Sequence, residues 1–72
     1  MADHPDLISH LKDYRQQAGL TQAQLAKRVS VSRKTINTIE NGVFVPTTVL
    51  ALKLARALDC RVEDLFALRD EA

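Results

Sequence analysis

The 72-residue chain has no tryptophan, one tyrosine and two phenylalanines. With only Tyr14, Phe44 and Phe66 to draw on, its core must be built from Leu, Ile, Val and Ala. A single cysteine, Cys60, excludes an internal disulfide framework and fits a reducing compartment. No apolar run approaches the roughly 18 residues of a membrane span. The start, Met1 to Leu11, is polar and carries no signal-peptide pattern, so a cytoplasmic protein without a membrane segment is expected. The two histidines, His4 and His10, are too few and too badly placed for a metal site. There is no Gly-rich phosphate loop and no cysteine–histidine pair. The sequence therefore predicts no enzyme activity, no cofactor and no metal. Asp59, Glu63 and Asp64 are read as favouring a helix dipole, and Cys60 as a buried, inert thiol.

Low complexity, repeats and linkers are also lacking. Hydrophobic residues make up 46% and charged residues 26% of the chain, which suits a small folded domain rather than disorder. A single domain over residues 1–72, with its core in 7–68, is expected. Net charge is only +1, yet its distribution is uneven. Residues 12–56 hold eight basic and two acidic side chains, a net of +6, and the rest of the chain carries −5. Such a split suits one face for a polyanion and another end for something else.

Hydrophobic periodicity gives five helices and no sustained strand-like alternation, hence an all-α fold. The first spans Asp6 to Ala18, with Leu7, Leu11, Tyr14 and Ala18 on one stripe and Gly19 ending it. The second starts at Thr21, where Thr21 and Gln24 match a capping box, and runs to about Val29 with Leu25, Ala26 and Val29 inward. Ser32 caps the third, which runs to about Asn41 with Ile36 and Ile39 inward and Gly42 closing it. The fourth follows Pro46, on a stripe of Leu50, Leu54, Ala57 and Leu58. The fifth covers about Val62 to Leu68.

The second and third helices, separated by about three residues, have the layout of a helix-turn-helix. Ala23 and Ala26 are small enough for a close crossing, and Val31 fills the corner. The far side of the third helix then presents Ser32, Arg33, Lys34, Asn37, Thr38 and Asn41, all able to hydrogen-bond. This is what a helix in the DNA major groove requires: Arg33 or Lys34 suits guanine O6 and N7, and Asn37 suits adenine.

The run Leu20-Thr21-Gln22-Ala23-Gln24-Leu25-Ala26, then Val31-Ser32-Arg33-Lys34-Thr35-Ile36, then Ile39-Glu40-Asn41-Gly42, resembles the phage-repressor and Cro type of helix-turn-helix, the xenobiotic-response-element family. So does the continuation through Pro46, Leu50 to Leu58 and Val62 to Phe66, and the resemblance covers about residues 7–68. It implies a five-helix lambda-repressor-like domain and sequence-specific binding of double-stranded DNA as a small transcriptional regulator, expected to be a repressor. By matching positions, Ser32, Arg33, Lys34, Asn37 and Thr38 face bases, and Thr21, Gln22, Lys27 and Asn41 face phosphates. Arg15 and Glu40 match a structural salt bridge. The chain departs from the pattern at three places: Val43-Phe44-Val45 lacks the polar side chains common in that loop, leaving only its backbone amides for phosphate. Asp59 stands in place of a glycine, so the turn is strained or adopts another conformation. Arg61 replaces a Ser or Thr cap, at a cost of about 0.5–2 kcal/mol.

A lone domain of this size offers few base contacts. A homodimer on a palindromic operator is therefore expected, joined through Val62, Leu65, Phe66 and Leu68; the alternative is that Leu65 and Phe66 only close the core. Two other readings stand beside it. One is an antitoxin-like or protein-partner-binding module with DNA secondary; the other is the DNA-binding module of a larger effector-domain regulator.

Overall fold

The computed structural model describes residues 6–69. Residues 1–5, His4 among them, and 70–72 lie outside the described residues. The elements in order are β1 (Leu7–Ser9), α1 (Leu11–Gln17), α2 (Gln22–Val29), α3 (Arg33–Glu40), α4 (Thr48–Ala57), α5 (Val62–Leu65) and β2 (Phe66–Leu68).

The helix starts follow from local chemistry. The hydroxyls of Thr21, Ser32 and Thr47 accept from the amides of Gln24, Thr35 and Leu50, each satisfying a donor that the first turn leaves open. At Thr21 the Gln24 side chain accepts in return from the Thr21 amide at 2.8 Å, completing the capping box. Arg61 has no acceptor to offer α5; instead its own amide donates to Asp64 Oδ2 at 2.9 Å, half of the same arrangement.

The helix ends share one solution. After α1, α2, α3 and α4 the chain enters the left-handed region at Gly19, Ser30, Gly42 and Asp59. At each, two amides fold back onto the last turn: Leu20 to Arg15 and Gly19 to Gln16, Val31 to Ala26 and Ser30 to Lys27, Val43 to Thr38 and Gly42 to Ile39, Cys60 to Ala55 and Asp59 to Arg56. This is the Schellman pattern, and it satisfies carbonyls that a helix end otherwise strands. Asp59 thus takes the conformation of the glycine it replaces, at φ 55°.

The five helices of the expected fold are all present, and a small two-stranded sheet joins its two ends. Leu7–Ser9 is a strand and not the first turn of α1, and Phe66–Leu68 is a strand and not the last turn of α5. They pair antiparallel, with Leu7 opposite Leu68, Ile8 opposite Ala67 and Ser9 opposite Phe66. The His10 amide to Leu65 carbonyl bond (2.7 Å) and the Arg69 amide to Asp6 carbonyl bond (2.8 Å) extend the ladder. Three-residue strands are too short to show a period, and their partners lie at opposite ends of the chain, so local pattern could not reveal them.

Leu11, Leu25, Val29, Ile36, Ile39, Leu54 and Leu65 make the core, with Ala26 and Ala55 at close approaches. Ala26 is buried, but Ala23, expected beside it at the crossing of α2 and α3, is exposed. Ala18 is likewise exposed. Leu65, expected on a dimer surface, is 0% exposed and belongs to the core; a side chain already covered within one chain has no surface left for another.

Candidate nucleic-acid interface

Ile36 and Ile39 pin α3 to the core. At about 100° per residue, Arg33, Lys34, Asn37, Thr38 and Asn41 fall on the arc opposite them. Arg33, Lys34, Asn37 and Asn41 are exposed and Thr38 is half-buried. Neither Arg33 nor Lys34 is engaged in an ion pair among the described residues.

The arc rests on a polar network that ties α1, α2 and α3 together. Arg15 is buried at 9% exposure, and its Nε donates to Glu40 Oε2 while Nη2 reaches Oε1 at 3.2 Å. Its Nη1 donates to the Leu20 carbonyl at 2.8 Å, at the entry to α2. Gln22 joins from the first turn of α2. Its Nε2 donates to Glu40 Oε1 at 3.0 Å and to Asn37 Oδ1 at 3.1 Å. No buried side-chain nitrogen or oxygen among the described residues lacks a partner. A satisfied network of this kind holds one arrangement against alternatives, because each broken bond would strand a polar group.

Several expected contact residues have other work. Gln22 is half-buried and both hydrogens of its amide are used within the protein, which leaves only its Oε1 uncommitted. The Ser32 hydroxyl caps α3 and lies 3.0 Å from Thr35 Oγ1. Thr21 caps α2 in the same way. Thr38 Oγ1 donates to the Thr35 carbonyl at 2.9 Å, which leaves the hydroxyl as an acceptor and the methyl as an apolar contact. Lys27 is exposed but lies about 140° around α2 from Gln22, so the two do not share a face. In the loop after α3 the amides of Val43 and Phe44 both donate to the Thr38 carbonyl, at 2.9 and 3.2 Å. The backbone donors left to this loop by the sequence are therefore already spent at those two residues.

Away from α3, Leu7, Val45, Pro46, Leu52, Val62 and Phe66 line an apolar groove of about 480 Å³ between β1, the α3–α4 loop, α4 and α5. Leu52 and Val49 on α4 are more than half exposed, and Leu68 is 80% exposed. Val45, Pro46 and Leu52 had no part in the surface read from the sequence. Their signal was present in the apolar Val43-Phe44-Val45 run, but only the fold brings it beside Val62 and Phe66. Cys60 is half-buried, and its thiol is pushed above its ordinary value of 9.0 by burial, then by the carboxylates of Asp64 and Asp59.

A fold of this kind, with two short helices crossing at a tight turn and a polar outer face on the second, defines a helix-turn-helix protein. The family model described as "Helix-turn-helix" matches residues 11–65. An uncharacterized HTH-type transcriptional regulator of Archaeoglobus fulgidus is 43% identical over 63 residues, 88% of this chain and 90% of the relative. Among solved structures, the clp gene regulator ClgR of Corynebacterium glutamicum is similar at a TM-score of 0.71 and 28% identity, over 75% of this chain and 57% of that one. A chain of the SinR protein/SinI protein complex is similar at 0.70 and 25% identity, over 75% and 53% respectively. The chain thus spans little more than half of either solved protein. It belongs to the helix-turn-helix family of transcriptional regulators, in the branch of the xenobiotic-response-element and Cro type, and its class is that of DNA-binding regulators. No helix among the described residues is long and apolar enough to cross a membrane.

Proposed function

We propose that this chain is a cytoplasmic repressor that binds a palindromic DNA operator as a homodimer, with α3 in the major groove. The observation that carries the reading is the outer arc of α3. It presents Arg33, Lys34 and Asn37 outward with no apolar side chain among them, on a helix held by the Arg15–Glu40–Gln22 network. Arg33 and Lys34 lie in the first turn, where a helix entering the groove meets base edges. Asn37, whose Oδ1 is held by Gln22, still has both amide hydrogens to donate. Asn41, Lys27, Thr21 and the uncommitted oxygen of Gln22 are the groups left for phosphate. In this reading Lys27 meets phosphate directly, and Gln22 acts mainly by positioning.

Dimerisation supplies the second half-site, about 34 Å away. The groove between α4 and α5 supports a dimer surface made by Val62, Phe66 and Leu68 together with Val45 and Leu52. A second reading is favoured by the same apolar patch: a different protein covers it, as two proteins join in the SinR/SinI complex.

An anisotropy titration on duplex from upstream of the gene and on a shuffled duplex, near physiological salt, tests the proposal. A preference of about 10³-fold or more, with two chains per duplex, is the expected outcome. Equal binding of both duplexes at ~10⁻⁴ to 10⁻⁶ M would reduce it to non-specific attachment. Sedimentation showing only an 8.0 kDa species at tens of micromolar protein would count against the homodimer and favour the second reading.

A further inference from the structure

A second cationic surface lies away from the outer arc of α3. The last turn of α2 and the C-terminal half of α4 enclose a cleft of about 490 Å³, lined by Arg28, Val29, Ser30, Lys53, Arg56 and Ala57. Three of its six lining residues are cations and none is a carboxylate. Arg28, Lys53 and Arg56 are all exposed, and none is in an ion pair or side-chain hydrogen bond among the described residues.

The ordinary explanation for cations at helix ends is that they face the negative end of the dipole and bond the last carbonyls. Here the backbone has already taken that role. The Ala26 and Lys27 carbonyls accept from Val31 and Ser30, and the Leu54, Ala55 and Arg56 carbonyls accept from Leu58, Cys60 and Asp59. The three side chains therefore keep their donors for an acceptor from outside. Ser30 adds a hydroxyl at a residue held at φ 61° by the same pair of bonds. Val29 and Ala57 give the cleft apolar walls, which weaken solvent screening of a bound charge. Three like charges brought together by two different helices repel one another unless an anion lies between them.

We propose that this cleft is a binding site for a phosphate-bearing polyanion. Arg28 and Arg56 clamp it through their guanidinium forks and Lys53 supplies a point charge. The same chemistry has two sources, a free polyphosphate and the backbone of a nucleic acid running past the domain. The site does not depend on α3 reading bases.

The test is an amide-resolved NMR titration of the intact chain with sodium tripolyphosphate at constant ionic strength, beside the Lys53→Ala/Arg56→Ala variant. Both substituted residues are exposed, and a circular dichroism melt checks that the variant folds. A free anion is the source if shifts at Arg28, Ser30, Lys53 and Arg56 saturate and the variant binds about tenfold or more weakly. The backbone is the source if tripolyphosphate leaves the cleft unmoved but the variant lowers the salt slope of binding to a shuffled duplex by about 2. Shifts spread equally over Lys12, Lys34 and the cleft, with an unchanged salt slope, would overturn the site. Because both arms use ligands without an operator, failure of the α3 reading would leave their outcomes intact.

Discussion

Gln22 Nε2 donates to Asn37 Oδ1 at 3.1 Å, so the first turn of α2 fixes the orientation of a side chain in the middle of the outer arc of α3. The same nitrogen bonds Glu40 at 3.0 Å, which anchors Gln22 to the buried pair beneath. A residue that looks like a plain phosphate contact in the sequence is thereby coupled to a position proposed to face bases. Gln22→Ala is expected to weaken operator binding more than shuffled-duplex binding, by about tenfold. In a double-mutant cycle with Asn37→Ala, the coupling should be about 0.5 kcal/mol or more. Strict additivity, with equal loss on both duplexes, would return Gln22 to a simple backbone contact.

Among the described residues Arg33 has no ion-pair partner to release if it is to bind DNA. Arg33→Ala is expected to cost about 1–3 kcal/mol on the operator and to relax preference at one base pair, with a much smaller loss on random sequence. Competition titrations with operators changed one base pair at a time measure this directly. A uniform loss across the whole panel would assign Arg33 to phosphate.

The Arg15–Glu40 pair is nearly dry, with the two side chains 10% and 2% exposed. Removing one partner leaves a charge with no water to receive it. Glu40→Ala or Arg15→Ala should therefore destabilise the fold by about 3–5 kcal/mol. Replacing both, as Arg15→Met with Glu40→Leu, should recover most of that loss, because the desolvation cost disappears along with the attraction. Urea denaturation of the three variants decides the point. A double variant as unstable as the sum of the singles would mean that the bonds to Leu20 and Gln22 carry the stability.

Two of the four left-handed helix ends are not glycine. Ser30 at φ 61° and Asp59 at φ 55° hold a conformation that costs an L residue about 1–2 kcal/mol. Asp59→Gly is expected to stabilise the protein by about 1 kcal/mol, raising Tm by about 4–8 °C in a domain this small. Ser30→Gly should behave alike. A fall in Tm at Asp59→Gly would show that the carboxylate contributes more in place than the backbone loses.

Cys60 titrates above 9.0, through burial first and the charges of Asp64 and Asp59 second. Its rate of alkylation by iodoacetamide should rise with pH at a higher midpoint than that of an unfolded peptide thiol, and Asp64→Asn should lower that midpoint. The sign for stability follows from the thiolate being disfavoured in the folded state. The contribution is fully present below about pH 9 and is lost as pH rises through the folded value. A midpoint equal to that of the unfolded peptide would remove both effects.

The five helices, and the bounds of α2, α3 and α4, were legible because their signals are local. Thr21, Ser32 and Thr47 cap helices whose apolar stripes start within the next turn, and Gly19 and Gly42 mark two ends by the one conformation they make cheap. The outer arc of α3 was equally readable. Once Ile36 and Ile39 are inward, the helical repeat alone places Arg33, Lys34 and Asn37 outward. Where distant residues meet was left to the tertiary structure. It paired Leu7–Ser9 with Phe66–Leu68, buried Leu65, and joined Arg28 of α2 to Lys53 and Arg56 of α4. It also committed the Gln22 amide to Asn37 and Glu40. Capping and periodicity act over one or two turns of chain, whereas burial and hydrogen-bond partners depend on which surfaces the folded chain brings within reach.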